Sequence, residues 1–234
     1  MNLLLIPGFW LDAASWAGVV PALEAAGHRV RALTLPGLGS VDEDRAGIGL
    51  ADHIAAVVAE IDAIGAEDGP VVLVGHSGGG AIAHGAVDAR PDRVAHVVYV
   101  DSGPLGDGGV INDELPVVGD EIPLPDWSVF DEADLTDLDD ALRAHFRAIA
   151  IPQPARVASD KQVLHDPRRF DVPVTVIACE FPTSTLRDLI AQGHPYVAEL
   201  ARVHDATLVD LPTGHWPQLT RPADLGAAIV AALA

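Results

Sequence analysis

The stretch from Val71 to Gly80, which reads VVLVGHSGGG, decides how the rest of the chain is interpreted. Its first four residues are apolar and mostly β-branched, a pattern typical of a buried strand. Gly75, Ser77 and Gly79 fit the pattern G-x-S-x-G, and a helix-like stretch follows over residues 81–89. Such a strand, turn and helix present a serine on a sharp turn, where neighbours without Cβ atoms let the backbones approach. A glycine-rich turn in another α/β protein is the alternative, since short motifs also occur by chance.

Strand-like and helix-like patterns alternate on both sides of this stretch. The predicted strands are residues 2–6, 30–35, 71–74, 94–100, 172–178 and 206–211, and the main predicted helices are residues 13–26, 50–64, 81–89 and 222–233. Shorter helical candidates lie at residues 185–192 and 196–203. This alternation, with short links, predicts an α/β protein with a parallel sheet covered by helices on both faces.

The alternation stops over residues 105–170, where no buried strand pattern is found. We predict that this segment is a cap or lid inserted over the carboxyl edge of the sheet, with a helix over residues 137–150. A solvated surface loop is the alternative. Trp127, Phe130 and Phe146 favour packing over disorder.

The composition limits the partners that this chain can bind. Its 234 residues, 49% of them hydrophobic, suit one domain over residues 1–234. A formal net charge of −20 argues against nucleic acid and against an anionic membrane surface. No apolar run approaches the roughly 20 residues that span a bilayer, and the first ten residues lack a basic leader. We therefore expect a cytoplasmic protein with a small-molecule partner, and a homodimer is left open.

Ser77 needs a base, because a serine hydroxyl is a weak nucleophile at its ordinary pKa. Among the ten histidines, His215 is preferred because it follows the last predicted strand, at the sheet edge where α/β proteins carry their active sites. His76 lies inside the turn, and we expect its side chain to point away from Ser77. No group of histidines has the spacing of metal ligands, so we predict neither a metal nor a cofactor.

The base in turn needs a carboxylate that orients it. Asp101 ends the fourth predicted strand, and Glu180 lies just past the next one. Both are placed at the carboxyl edge of the sheet, and either could reach a histidine over Ser77. We prefer Asp101 and keep Glu180 as the alternative. Asp101 could also cap a turn without any catalytic role.

A tetrahedral oxyanion needs hydrogen-bond donors that are already in place. We predict that the backbone N–H groups of Phe9 and Gly78 supply them, with Gly8 allowing the first loop to approach. Phe9 and Trp10 could also form the wall of an apolar acyl pocket. The alternative is that both aromatic side chains only pack the loop.

Several motifs continue this pattern over nearly the whole chain. They are Pro7-Gly8-Phe9-Trp10 with Ser15-Trp16, Leu23 with Gly27-His28-Arg29-Val30, Leu33-Thr34-Leu35-Pro36-Gly37-Leu38-Gly39, Gly75-His76-Ser77-Gly78-Gly79, and Gly214-His215-Trp216-Pro217. With these motifs the chain resembles the α/β-hydrolase superfamily, in particular its branch of plant methylesterases, hydroxynitrile lyases and small bacterial esterases. The resemblance implies the α/β-hydrolase fold and cleavage of an ester without a cofactor.

Two positions depart from the pattern of that branch. Its oxyanion loop usually opens with His-Gly, whereas this chain has Pro7 before the glycine. Its acid usually lies about two residues after Glu180, where this chain has Pro182. The second departure gives weight to Asp101. The lyases of the branch also use a lysine near the histidine, but the only lysine here is Lys161, inside the insertion.

These features together predict a serine hydrolase that cleaves a small carboxylic ester, such as a methyl ester or a lactone, through an acyl-enzyme. Ser77 is the predicted nucleophile, His215 the base and Asp101 the acid. Two other functions are kept as alternatives. One is a small-molecule-binding protein on the same fold, disabled for want of the usual acid, and the other is a lyase of the hydroxynitrile lyase type.

Overall fold

Strands and helices alternate through the chain, which the computed structural model describes over residues 1–234 apart from the side chain of Ala66. The strands are β1 (Asn2–Ile6), β2 (Arg29–Ala32), β3 (Val71–His76), β4 (Val94–Val100), β5 (Glu121–Ile122), β6 (Gln153–Pro154), β7 (Val174–Ala178) and β8 (Ala206–Asp210). The α-helices are α1 (Val20–Ala25), α2 (Leu50–Ala63), α3 (Gly78–Ala89), α4 (Asp140–Ile149), α5 (Ala155–Ser159), α6 (Thr183–Ala191), α7 (Pro217–Thr220) and α8 (Pro222–Ala232). The predicted α/β fold class is confirmed.

Six strands form one parallel sheet in the order β2-β1-β3-β4-β7-β8. The register sets the carboxyl ends of the central strands level, because Ile6 pairs with Gly75 and His76 pairs with Val100. The loops after β1, β3 and β4 therefore begin side by side. Parallel strands concentrate their functional loops at this edge, and the register decides which of those loops are neighbours.

Both faces of the sheet are buried, which explains the continuous apolar runs of its strands. In β1, Leu3 and Leu5 point to one face while Leu4 and Ile6 point to the other, as the two-residue period of a strand requires. The first face packs with side chains of α1 and α8, namely Leu23, Leu225 and Ile229. The second packs with side chains of α2 and α3, namely Val57, Ile61, Ile82 and Ala86.

Several predicted bounds differ from the observed ones. The helix predicted over residues 13–26 is a 3-10 turn, Ala13–Trp16, followed by the short helix α1. Helix α3 begins at Gly78, three residues earlier than predicted, because a run of three glycines carries no apolar periodicity. The helix predicted over residues 196–203 is replaced by two 3-10 turns, Pro195–Val197 and Leu200–Arg202.

Residues 105–170 contain little regular structure apart from α4 and α5. The strands β5 and β6 are two residues each and pair antiparallel outside the main sheet. Three aromatic side chains of this segment pack together on Trp216, next to His215: Trp127, Phe130 and Phe146. The segment therefore packs against the loop that carries the predicted base.

None of the helices in the described part of the chain combines the length and the apolar character that crossing a bilayer demands.

The close approach of β1 to the start of α3 gives a test of the fold. A Cβ atom added at Gly79 would lie 2.6 Å from the carbonyl oxygens of Ile6 and Pro7. Backbone atoms cannot yield as a flexible side chain can, so Gly79→Ala is expected to lower the free energy of unfolding by about 1–3 kcal/mol. Urea unfolding measures the change.

Gly103→Ala is the matched control, because a Cβ atom there meets nothing within 4 Å. Equal stability of the two variants would contradict the packing described at this turn.

Candidate active site

Ser77 lies on the sharp turn between β3 and α3, with a backbone φ of 52°. This left-handed conformation is strained for a residue with a side chain and costs on the order of 1–3 kcal/mol. Neighbouring groups hold it in place. The Ser77 N–H donates to the carbonyl of Val100, and the Ser77 carbonyl accepts from the N–H of Gly80 and the hydroxyl of Ser102.

The glycines around Ser77 are required by close packing. A Cβ atom at Gly75 would lie 2.6 Å from the carbonyl oxygen of Gly79. A Cβ atom at Gly8 would lie 2.6 Å from His76 Nδ1 and 2.9 Å from the Cβ atom of Ser77. The loop after β1 can therefore approach the serine only because residue 8 has no side chain.

His215 lies in the loop that follows β8, and its ring joins two of the predicted site residues. Its Nε2 atom lies 2.8 Å from the hydroxyl of Ser77, and its Nδ1 atom lies 2.7 Å from Oδ2 of Asp101. Backbone bonds fix the loop, since the N–H of His215 donates to the carbonyl of Asp134 and that of Gly214 to the carbonyl of Thr136. The structure thus brings the three residues into one hydrogen-bonded chain.

A second carboxylate reaches the same ring nitrogen. Oε1 of Glu180 also lies 2.7 Å from Nδ1 of His215. The Asp101 side chain is 6% exposed and that of Glu180 is 18% exposed. Oδ1 of Asp101 also accepts hydrogen bonds from the backbone N–H groups of Cys179, at 2.8 Å, and of Glu180, at 3.3 Å. Both carboxylates that the sequence proposed as alternatives are therefore present at the histidine.

The protonation of these groups follows from burial and from their mutual charges. Burial opposes the charge on Asp101, but the hydrogen bonds from His215 and the charge of His215 outweigh burial and lower the pKa of Asp101. Burial raises the pKa of Glu180 to about 7. Burial also opposes the charge on His215, but hydrogen bonds to both carboxylates, and their charges, raise the pKa of His215 to about 10. The site therefore favours a protonated imidazole when both carboxylates are charged.

The two predicted oxyanion donors flank the serine. Neither the N–H of Phe9 nor that of Gly78 donates a hydrogen bond to another group in the described part of the chain. Gly78 is the first residue of α3, where backbone N–H groups lack partners within the helix. Both amides are thus free to donate to a bound group.

The side chains of Phe9 and Trp10 pack the loop after β1. They do not line the cavity that opens beside Ser77 and His215. Phe9 and Trp10 are buried, and Phe9 packs against Gly78 so closely that a Cβ atom there would lie 2.6 Å from its ring. The indole N–H of Trp10 donates to the carbonyl of Ile122. Neither side chain is among those that line the cavity beside Ser77, which favours the alternative that both aromatic side chains only pack the loop.

A cavity of about 700 Å³ opens beside Ser77 and His215. One wall is the start of the insertion, residues 105–111, and the other is formed by residues 195–202 together with Phe181 and Leu186. Apolar side chains dominate both walls: Leu105, Val110, Ile111, Val197 and Leu200. The second wall was not anticipated, because its two 3-10 turns leave no periodic pattern in the sequence.

The side chain of His76 holds the loop that carries His215 through a hydrogen bond. This contact agrees with the prediction that His76 points away from Ser77. The His76 Nε2–H donates to the carbonyl of His215, and its Nδ1 accepts from the side-chain amide of Gln218. Burial, followed by the charge of His215, lowers the pKa of His76 to about 3. His76 is therefore neutral and acts as a structural hydrogen-bond donor.

A buried ionic cluster lies behind the cavity. Glu199 accepts from Nε2 of His84 and from Nε of Arg169, while Nδ1 of His84 contacts the hydroxyl of Tyr99. Nη1 of Arg169 also binds Asp88 on α3. The cluster joins the cavity wall to α3 and to the end of the insertion, so the wall is held firmly.

Asp101, Glu180 and His215 form the one cluster, among the residues that the structure describes, with three possible metal-ligand atoms within 4.8 Å of one another. The hydrogen bond from Nδ1 of His215 to Asp101 and the ion-pair contact of Nδ1 with Glu180 account for these short distances. The absence of a metal remains a prediction from the sequence.

A serine on a sharp strand–helix turn, at the carboxyl edge of a parallel sheet, is typical of one class of enzyme fold. The chain belongs to the alpha/beta hydrolase family, whose family model matches residues 3–228. Methylesterase 7 of Arabidopsis thaliana is 37% identical over 101 residues, which are 42% of this chain and 38% of that protein. Pyrethroid hydrolase of Sphingobium wenxiniae is 34% identical over 99 residues, 42% of this chain and 35% of that protein. The chain therefore spans well under half the length of these curated relatives.

The fold is shared over the whole chain. The solved structure of an extracellular alpha/beta-hydrolase from a Paenibacillus species superimposes with a TM-score of 0.78. The match covers 99% of this chain and 98% of that chain, at 21% sequence identity. The resemblance to the methylesterase-like branch of the superfamily is confirmed.

The neutral state of buried His76 can be tested through the pH dependence of the free energy of unfolding. The pKa of His76 is near its ordinary value in the unfolded chain and about 3 in the folded one, so stability is full above about pH 6.5 and is lost as the pH falls toward 3. His76→Gln is expected to reduce this loss by about 1.4 kcal/mol per pH unit, the value of one proton. Urea unfolding across this pH range measures the slope.

The exposed residue His145 supplies the control variant, His145→Gln, whose slope should match that of the unaltered protein. A His76→Gln slope equal to both would contradict the buried, neutral state of His76.

Proposed function

We propose that this chain is a serine hydrolase that cleaves a small carboxylic ester through an acyl-enzyme. The observation that carries the proposal is the hydrogen-bonded chain from the hydroxyl of Ser77 through His215 to Asp101, at 2.8 and 2.7 Å. A nucleophile, its base and an orienting carboxylate within hydrogen-bond reach are the arrangement that activates serine. The named relatives, a methylesterase and a pyrethroid hydrolase, support an ester as substrate.

The first half of the reaction follows from this geometry. Nε2 of neutral His215 takes the hydroxyl proton of Ser77 as the oxygen attacks the ester carbonyl. The N–H groups of Phe9 and Gly78 stabilise the oxyanion that forms. Collapse of the tetrahedral intermediate breaks the bond to the alcohol, which leaves with the proton from His215. Asp101 keeps the imidazole oriented and stabilises its charge.

In the second half of the reaction, water hydrolyses the acyl-enzyme with the help of the same groups. His215 takes a proton from water, which attacks the acyl carbonyl, and the carboxylic acid leaves as the proton returns to the oxygen of Ser77. Atoms and charges balance over the cycle, and every proton passes through Nε2 of His215.

The lining and the volume of the cavity indicate which esters can bind. We propose that residues 105–170 act as a cap, with residues 105–111 on one side of the substrate and residues 195–202 on the other. The apolar lining favours an uncharged acyl or alcohol group, and the volume of about 700 Å³ suits a small ligand. A small neutral ester, such as a methyl ester or lactone, fits these walls.

The two alternative functions have less support. A disabled binding protein would follow from a missing acid, but two carboxylates lie within 2.7 Å of His215. A lyase of the hydroxynitrile lyase type would need a lysine near the histidine. Lys161 is exposed and is not among the residues that line the cavity.

The nucleophile is tested with a fluorophosphonate probe and a short p-nitrophenyl ester. Ser77→Ala is expected to abolish labelling and to lower kcat by at least about a thousandfold, because the covalent step is lost. Ser159→Ala, at an exposed serine on α5, is the matched control and should label and turn over as the unaltered protein does. Labelling of Ser77→Ala at the control rate would contradict the proposal.

The raised pKa of His215 makes activity depend on pH in a predictable direction. His215 must be neutral to accept the proton of Ser77, and its pKa is raised by the two carboxylates to about 10. We expect kcat/KM for a neutral ester to rise with pH well past about pH 7, where an ordinary histidine is already deprotonated. A plateau already reached at about pH 7, as for an ordinary histidine, would contradict the assigned environment.

A further inference from the structure

His215 has two carboxylate partners at a ring nitrogen that carries one proton. Oδ2 of Asp101 and Oε1 of Glu180 each lie 2.7 Å from Nδ1. A single N–H group cannot give a full, well-directed hydrogen bond to two acceptors at once. The second carboxylate therefore needs its own explanation.

The two carboxylates are held in different ways. Asp101 accepts two backbone N–H bonds at Oδ1, from Cys179 and Glu180, while its Oδ2 faces His215. Donors fixed in the backbone stabilise its charge, so Asp101 stays an anion. No backbone N–H donor to Glu180 occurs in the described part of the chain, and its side chain meets other acids instead.

Titratable groups from several parts of the chain lie around Glu180. The carboxylate of Asp101 lies at the end of β4, and Asp134 approaches from the insertion. His215 lies on the loop after β8, Tyr196 lies on the cavity wall, and Cys179 precedes Glu180 in its own loop. His215 is the only group in this set that can be cationic. Two neighbouring carboxylates therefore favour a proton on Glu180, while the imidazolium favours its loss.

We propose that Glu180 is a positioning residue that titrates against His215. As a neutral acid it leaves Asp101 alone to orient the imidazole, and as an anion it adds a second negative charge that retains the proton on His215. The inference rests on the proposed function, because it concerns when His215 can serve as the base for Ser77.

Burial supports this assignment, since it raises the pKa of Glu180 to about 7, so Glu180 loses its proton at a lower pH than His215 does. Loss of the Glu180 proton then raises the pKa of His215 further, because opposite charges within about 4–6 Å favour the charged form. The pH at which His215 becomes a base is therefore set jointly by the two carboxylates, and Glu180 contributes the variable part.

Removing the charge of Glu180 tests this directly. In Glu180→Gln the pKa of His215 should fall, so the acidic limb of kcat/KM should move to lower pH by about 1 unit or more. Asp101→Asn should instead lower the plateau by at least about a hundredfold, because the orienting anion is lost. Glu114→Gln, at an exposed glutamate of the insertion, is the matched control and should leave the profile unchanged.

The titration of His215 is also read without any substrate. Nitrogen chemical shifts of its ring, followed by NMR across the same pH range, should show the same downward shift in Glu180→Gln. Thermal unfolding of each variant checks that the fold is kept.

Two results would overturn the inference. One is a His215 titration in Glu180→Gln that superimposes on that of the unaltered protein. The other is a folded Glu180→Gln that is inactive at every pH while Asp101→Asn stays active, which would make Glu180 the sole acid. Failure of the proposed function looks different: the unaltered protein would neither label nor turn over esters, while the NMR titration would still decide the role of Glu180.

Discussion

The whole site depends on the strained turn at Ser77. A serine with a positive φ is unfavourable alone, and it persists because β4 and the loop after it bind its backbone on both sides. Those bonds exist only because β3 and β4 run level, with His76 opposite Val100. The parallel sheet therefore does more than carry the loops. Its register supplies the hydrogen bonds that hold Ser77 in its left-handed conformation.

The same register explains how residues far apart in the chain meet. Asp101 follows β4, Glu180 follows β7 and His215 follows β8, and these three strands are consecutive in the sheet. The loop of His215 is then held from two sides, by His76 beneath it and by the backbone of Asp134 in the insertion. The segment of residues 105–170 thus has a structural role at His215 in addition to its proposed role as a cap.

Local sequence motifs allow part of this arrangement to be predicted. The turn at Ser77 and the loop at His215 could be predicted because each is a short, contiguous pattern whose glycines have a steric reason. The choice between Asp101 and Glu180 could not, because it depends on how β4 and β7 lie side by side and on where two side chains point. Sequence reasoning treated them as competitors, whereas the structure places both on Nδ1. The cavity wall at residues 195–202 was missed for another reason: 3-10 turns stabilised by a buried ionic cluster at Glu199 leave no hydrophobic period.

If Ser77 is the nucleophile, it carries the acyl group during turnover, and this acyl-enzyme can be trapped. Acid quenching during turnover of p-nitrophenyl acetate, followed by peptide mapping with mass spectrometry, would reveal an acetyl group on the protein. We expect the acetyl group to lie on Ser77 and to disappear once the substrate is exhausted. An acetyl group found only on another residue, or turnover with no acetylated peptide even when deacylation is the slow step, would contradict it.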